Sequence, residues 1–177
     1  MSGHNKWSKI KRKKEAADAK KSKVFSKFAK LITAESKQAG GDINSPALKS
    51  AIEQAKAANM PLHNIERAVK KGASGDAADM QAATYEAYGP GGSALIIECL
   101  TDNTNRTAAE IKHLLSKNNL SLAGTGSVLW AFEKKDNKWL PQNTLSVSDE
   151  DRQKIEKIIE ELENQDDVQK VFTNIKD

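Results

Sequence analysis

The chain has 177 residues, 38% of them hydrophobic, with 28 lysines and arginines against 24 acids and a formal charge of +4. That length suffices for two small modules, each with its own core. The single cysteine, Cys99, excludes an internal disulfide and a multi-cysteine metal site and points to a reducing, cytoplasmic setting, and no apolar run approaches the ~20 residues of a membrane span, since Glu98 interrupts the longest, residues 94–100.

Charge is distributed unevenly. Residues 1–72 hold 17 lysines and arginines against six acids, and the remainder holds 11 against 18. A concentrated basic surface gathers polyanions and speeds encounter with them, so nucleic acid is the first partner to consider. A membrane surface fits less well, because residues 6–14 lack the broad apolar face of an interfacial helix. The basic start is followed by no apolar stretch, and Arg12 is the sole arginine before Arg67, so it does not read as a signal or transit peptide.

Residues 1–14 have no helical period and only Trp7 and Ile10 as large apolar side chains, which predicts an arm, mobile when unbound. It carries Lys6, Lys9, Lys11, Arg12, Lys13 and Lys14. From Glu15 the pattern changes: Val24, Phe25, Phe28, Leu31 and Ile32 share a helical face, and Gly40-Gly41 stops the helix. Lys20, Lys23, Lys27, Lys30 and Lys37 add cations to the same helix, the last four roughly opposite the apolar face. Ser45-Pro46 reads as a cap and first helical residue, followed by the stripe Leu48, Ile52, Ala55 as far as Asn59. A third helix starts near Pro61, buries Ile65, Ala68 and Val69, and ends on Lys70-Lys71-Gly72. Residues 15–72 therefore predict a three-helix bundle, and the Ala-, Gly- and Asp-rich residues 73–83 a linker.

Residues 84–177 form the second predicted module. A short strand at Tyr85, a glycine-rich turn at residues 89–92 and a buried strand around Leu95, Ile96 and Ile97 come first. A helix follows, with Thr107 and Glu110 as a capping box or Asn105 as the cap, and Ile111, Leu114 and Leu115 inside. Val128, Trp130 and Phe132 alternate as in a strand, Asp136-Asn137 turns the chain, and Leu140 and Leu145 belong to the next strand. Ser148 caps a helix that buries Ile155, Ile158, Ile159 and Leu162, and residues 168–172 make the last strand. The order β-β-α-β-β-α-β predicts an α+β fold, a ferredoxin-like α/β sandwich.

Catalytic signatures are absent from the sequence. The loop at residues 89–92 opens a strand, whereas phosphate loops open a helix, so a hairpin turn is expected there. His4, His63 and His113 are scattered and have no paired cysteines, so no metal or cofactor is expected. Cys99 reads as a small core residue. Asp102 to Thr107 form the densest polar group of the second module; they read as a turn and helix cap or as an anion site made by the helix start and Arg106. The basic arm reads as polyanion-binding, because its charges continue onto the first helix, Trp7 can stack on a base and little acid is interleaved. Arg67, Lys70 and Lys71 extend that basic set onto the third helix.

The stretches "SGHNKWSKIKRKKEAADAKKSKVFSK", "AIEQAKAANMPLHNIERAVKKG", "YEAYGPGGSALIIECLTDNTNRTAAEIKHLLSKN" and "GSVLWAFEKK" closely resemble the YebC/PmpR family, relatives of the mitochondrial translational activator of cytochrome c oxidase. The resemblance spans most of the chain with one departure. Typical members carry another small α/β domain between FEKK and PQN, where this chain has only residues 136–140, so it resembles a short form. The resemblance implies a non-enzymatic regulator, either a ribosome-associated factor assisting translation, for example at consecutive prolines, or a transcription regulator on duplex DNA. It implies that Lys6, Trp7, Lys9, Lys11, Arg12 and Lys20 contact ribosomal RNA and that Asn59, Met60 and Pro61 approach a functional centre, a bend that reads equally as a helix cap. Lysine-rich composition and the lack of a helix-turn-helix signature favour irregular folded RNA over a DNA groove. A monomer is expected.

Overall fold

The computed structural model describes the backbone of residues 3–136 and 138–176, with side chains from residue 13 onward in those ranges. The chain divides into two compact units, Met1–Asp79 and Met80–Asp177. The division falls within residues 73–83.

In the first unit, α1 (Gly3–Gln38), α2 (Pro46–Ala57) and α3 (Leu62–Ala73) enclose Ile32, Leu48, Ala51, Ala55, Met60, Ile65 and Ala68. Helix α1 is already formed at Gly3, whereas spacing predicted an arm to residue 14. Lysine, arginine, alanine and glutamate are strong helix formers, and no proline or glycine interrupts residues 4–38. Propensity thus sustains a helix where no apolar stripe exists, and residues 13–22 are exposed all round.

Helices α1 and α3 meet closely. Thr33 Oγ1 donates to Ala68 O at 3.3 Å and Ser36 Oγ to Val69 O at 2.7 Å. Gly72, expected to stop the helix, lies within α3 and is buried. A Cβ there would stand 2.4 Å from the Thr33 carbonyl oxygen and 2.6 Å from Ser36 Cβ, so glycine is required by the helix contact and not by a turn. At the end of α2, Met60 N–H donates to Ala55 O at 3.0 Å and Asn59 N–H to Lys56 O at 2.9 Å, with Asn59 at φ 61°. This is a Schellman cap with asparagine in the left-handed position.

In the second unit the elements are β1 (Gln81–Tyr88), β2 (Ala94–Thr101), α4 (Thr104–Lys117), β3 (Phe132–Lys135), β4 (Lys138–Pro141), α5 (Asp149–Glu163) and β5 (Val168–Thr173). The order is the expected one and the fold is α+β. Pairing departs from a four-stranded ferredoxin-like sheet at one point: β1, β2 and β5 form an antiparallel sheet in the order β1-β2-β5, while β3 and β4 pair only with each other. The Gly89 loop makes a 3-10 turn at Pro90–Gly92 joining β1 to β2, with Gly89 N–H donating to Ser93 O at 2.8 Å.

Strand β2 is covered on both faces, which explains its unbroken apolar run. Leu95, Ile97 and Cys99 pack with Ile111, Leu115, Ile155, Ile158 and Leu162 of α4 and α5. Ala94 and Ile96 pack on the other face with Val128, Ala131 and Phe132, and Trp139 and Phe172 flank them. The β3–β4 ribbon therefore roofs the side of the sheet opposite the helices.

Two local expectations are corrected. Val128 has helical backbone and Leu129–Ala131 form a 3-10 turn, so the alternation of Val128, Trp130 and Phe132 is not that of a strand, which would put all three on one face. Val128 and Phe132 are buried, and Trp130 is 53% exposed. Leu145 lies outside β4 and makes an isolated parallel bridge to Ile175.

Candidate nucleic-acid interface

The basic residues of the first unit fall into separate groups. Lys6, Trp7, Lys9, Lys11 and Arg12 lie outside the residues whose side chains are described. Lys13, Lys14 and Lys20 are exposed, and Lys23, Lys27 and Lys30 are half-buried along the same helix. Arg67, Lys70 and Lys71 are exposed on α3. Because residues 33–37 of α1 pack against residues 68–72 of α3, Lys70 and Lys71 sit beside the far end of α1, about 25–35 Å along its axis from Lys13 to Lys20 at a rise of 1.5 Å per residue.

Lys37, placed by spacing among the outward lysines, has an internal role. Its ammonium donates to Ala77 O at 2.5 Å and pairs with Asp79 at 2.7 Å, holding residues 77–79 to α1. The hydrogen bond and charge of Lys37 pull the Asp79 carboxyl below the usual carboxylate range.

Charge and helix polarity reinforce each other at the start of α1. The first turn holds no acidic residue, and the backbone N–H groups of a helix start carry partial positive charge. Cations there are unfavourable for the isolated helix and raise the potential seen by an anion.

The bend at Asn59, Met60 and Pro61 is divided between core and surface. Met60 is 5% exposed and belongs to the bundle core. Its side chain anchors the cap, and only Asn59 and Pro61 face solvent.

Arg106 and the start of α4 find acceptors within the protein. Asn103 caps the helix, its side chain accepting from Arg106 N–H at 3.0 Å, where sequence spacing suggested Thr107 or Asn105. The Arg106 guanidinium donates to Asp102 Oδ1 at 2.7 Å and to Asp167 Oδ2 at 2.9 Å. Thr107 Oγ1 donates to the same Asp167 oxygen at 2.7 Å and Thr101 Oγ1 at 3.2 Å. Bonding to Asp167 first, and then to Asp102, raises the already high arginine pKa further. This cluster fastens α4 to the turn before β5 and leaves its arginine neutralised by two carboxylates. Tyr85 donates from its hydroxyl to Thr104 O at 3.1 Å, and burial, helped by Cys99 and Asp167, pushes its pKa up.

Sequence reasoning missed two buried acids, Asp167 of the cluster above, 4% exposed, and Glu86. Glu86, 5% exposed, accepts from Gly126 N–H at 2.7 Å and Val128 N–H at 2.8 Å, pinning the loop that leads to Trp130. Its place in an alternating strand signals which face it takes, but nothing in the sequence marks the backbone groups it would meet.

Among the described residues no helix is long and apolar enough to cross a membrane, and no group of three or more histidine, cysteine or acidic side chains is placed to hold a metal ion.

Residues 5–75 match the TACO1/YebC protein N-terminal domain, and residues 80–137 and 134–175 match the TACO1/YebC second and third domain. The chain is 38% identical to a "Probable transcriptional regulatory protein" of Thermoanaerobacter pseudethanolicus over 239 aligned positions, covering 99% of this chain and 97% of that protein. It is 46% identical to a protein of the same description from Chlorobaculum parvum, covering 100% of this chain and 72% of the other. A conserved hypothetical protein of Aquifex aeolicus, known by crystal structure, superposes with a TM-score of 0.78 at 30% identity, covering 90% of this chain and 91% of that one. The aligned span of 239 positions exceeds the 177 residues present, and the two pieces of the second match meet at the β3–β4 turn. The chain belongs to the TACO1/YebC family, as a short form.

Proposed function

We propose that the protein is a non-enzymatic regulator that grips structured RNA of the ribosome, in the cytoplasm, through the basic start of α1. The observation that supports this reading most directly is the exposed stretch of α1 at residues 13–22, which continues the run of lysines and arginine at the helix start. Such a rod suits a phosphate-lined surface, where backbone charge and shape are read more than base sequence. Lys13, Lys14, Lys20, Lys23, Lys27 and Lys30 supply the described part of the grip, and Arg67, Lys70 and Lys71 are a second basic group of the same unit. Arg106 is left out because its carboxylate partners already neutralise it. Asn59 and Pro61 remain candidates for a contact at the tip of the bundle.

A second reading, duplex DNA as the target, is favoured by the description of the relatives as probable transcriptional regulatory proteins. The two readings separate in one experiment: binding to purified ribosomes at about 0.15 M salt, near physiological ionic strength, with excess duplex DNA as competitor. Binding that persists, and is lost on reversing Lys13, Lys14 and Lys20 to glutamate, supports translation. Transfer of the protein to the DNA overturns that reading in favour of transcription.

A further inference from the structure

The roofed side of the second unit carries an exposed surface that neither the core nor the α1 grip uses. Tyr88, Leu129, Trp130 and Leu140 are 41, 39, 53 and 43% exposed, and all belong to the side of the sheet away from α4 and α5. Trp130 has no unsatisfied polar group that would hold it there. Its indole N–H donates to the Tyr88 hydroxyl at 3.1 Å, and that hydroxyl donates to Ser127 O at 2.6 Å. The Trp130 carbonyl accepts from Asn143 Nδ2 at 2.7 Å. The two rings are thus fixed in place with much of their surface open, so an incoming flat ring would meet a platform that is already ordered. Trp139 shows the contrast: its N–H is bound to Glu98 at 2.9 Å and Lys134 lies 5.0 Å over its ring.

Beyond the aromatics, the ribbon extends a basic tip. Lys135 and Lys138 are cross-strand partners, an arrangement in which like charges repel. Among the described residues neither has an acidic partner within ion-pair distance. They are cations in the half of the chain with an excess of acid, and the three steps of β3 between Phe132 and Lys135 place the tip only about 10 Å further along the ribbon. Ordered aromatic faces beside a pair of unneutralised lysines match the chemistry of single-stranded nucleic acid, with bases to stack and phosphates to pair.

We infer that Trp130 with Tyr88, and Lys135 with Lys138, form a second binding surface for a single-stranded RNA segment. The inference deepens the proposed RNA-binding function and rests on it. A protein partner with an acidic, apolar segment is the competing occupant, and duplex-only recognition is another.

The test uses the full chain with Trp7 and Trp139 replaced by phenylalanine, so that Trp130 alone reports, and three probes: a 12-nucleotide single-stranded RNA of mixed sequence, a blunt RNA duplex of the same length, and an acidic peptide with aromatic residues. The single strand should quench Trp130 and the duplex and peptide should not. In the otherwise wild-type chain, Trp130→Ala should weaken single-strand binding about 5- to 150-fold, the range measured for loss of one base–aromatic stack, while Trp130→Phe keeps most of it. Lys135→Glu with Lys138→Glu should flatten the log–log salt dependence by about 1.4, two contacts at ~0.7 each, without lowering Tm. Unquenched Trp130, or single-strand affinity unchanged by both the tryptophan and the lysine variants but lost on reversing Lys13, Lys14 and Lys20, overturns the second surface and leaves the α1 reading standing. Quenching by the peptide alone, or equally by duplex, also overturns it. Failure of the wild-type chain to bind any RNA or ribosomes overturns both.

Discussion

Replacing Gly72 by alanine should destabilise the first unit by about 3 kcal/mol, and the figure can be built from the contact it disrupts. Alanine is the better helix former by roughly 1 kcal/mol in a helix interior, so on propensity alone the variant would be more stable. The added Cβ, however, would lie 2.4 Å from the Thr33 carbonyl oxygen, 2.6 Å from Ser36 Cβ and 2.9 Å from Lys37 N. Two of these three are backbone atoms in the last turns of α1, so relief requires the helices to part by about 1 Å, roughly the shortfall from an ordinary ~3.5 Å contact. That separation stretches the Ser36–Val69 and Thr33–Ala68 hydrogen bonds, each contributing about 1 kcal/mol, and forfeits a quarter to a half of the dispersion energy along the contact. Adding about 2 kcal/mol for that overpacking and subtracting the propensity gain leaves a net loss of about 3 kcal/mol. For a unit of about this size the melting temperature should fall by some 10–20 °C. Thermal unfolding followed by circular dichroism, with hydrogen exchange at α3 amides to assign the transition, checks this. Gly75→Ala is the control: Gly75 has φ +78° but open space around it, so it should cost only the left-handed strain of about 1 kcal/mol. A Gly72→Ala variant as stable as wild type would refute the close-approach argument.

Other outcomes follow from the second unit. Asp167→Ala should cost about 3 kcal/mol, because it removes the buried carboxylate that Thr101, Thr107 and Arg106 share, and chemical denaturation measures it; Arg106→Glu should lower Tm and leave ribosome affinity nearly unchanged, and the reverse pattern would restore the anion-site reading. Glu86→Ala should loosen the loop at residues 123–128 and destabilise by about 2–4 kcal/mol through two unpaired backbone N–H groups, seen as faster amide exchange at Gly126 and Val128. Tyr85 has a folded pKa raised above 10, so its contribution is intact below pH 10 and is lost as pH rises beyond it. Tyr85→Phe should flatten the alkaline fall in Tm. The Asp79 carboxyl is depressed by Lys37, so its contribution is present above the ordinary carboxylate pKa and disappears on acidification below it, a dependence that Asp79→Asn should remove.

Much of this architecture was legible because apolar residues were spaced at a clear period. Ile32, Leu48 and Ile65 in the bundle, and Ile111, Ile155 and Leu162 on the sheet, all sit where helical spacing put them. Ser148 caps α5 as its position suggested, accepting from Asp151 N–H at 3.1 Å. The errors share a cause, which is that the deciding partner lay far away in the chain. Gly72 looked like a stop because Thr33 and Ser36, which demand a glycine, are more than thirty residues earlier. Arg106 stayed open between a helix-cap and an anion-site reading because Asp167, one of its two carboxylate partners, is sixty-one residues later. Trp130 alternated with two buried neighbours, yet a 3-10 turn rotates it out to solvent, and no local signal distinguishes that turn from a short strand. The start of α1 failed differently: periodicity detects an apolar face, and residues 3–14 have no apolar stripe to detect.

The β3–β4 turn also has a meaning for how this chain can vary in length. Lys135 and Lys138 are directly paired across the ribbon, so their Cα atoms are only about 5 Å apart. A folded insert whose own ends lie that close could be threaded between them while Phe132 and Trp139 keep their places in the core, and it would add little closure entropy. That is where the matched pieces of the family's second and third domains meet in this chain. The turn therefore works as a splice point, a position where a whole domain can be present or absent without re-laying a single strand of the main sheet.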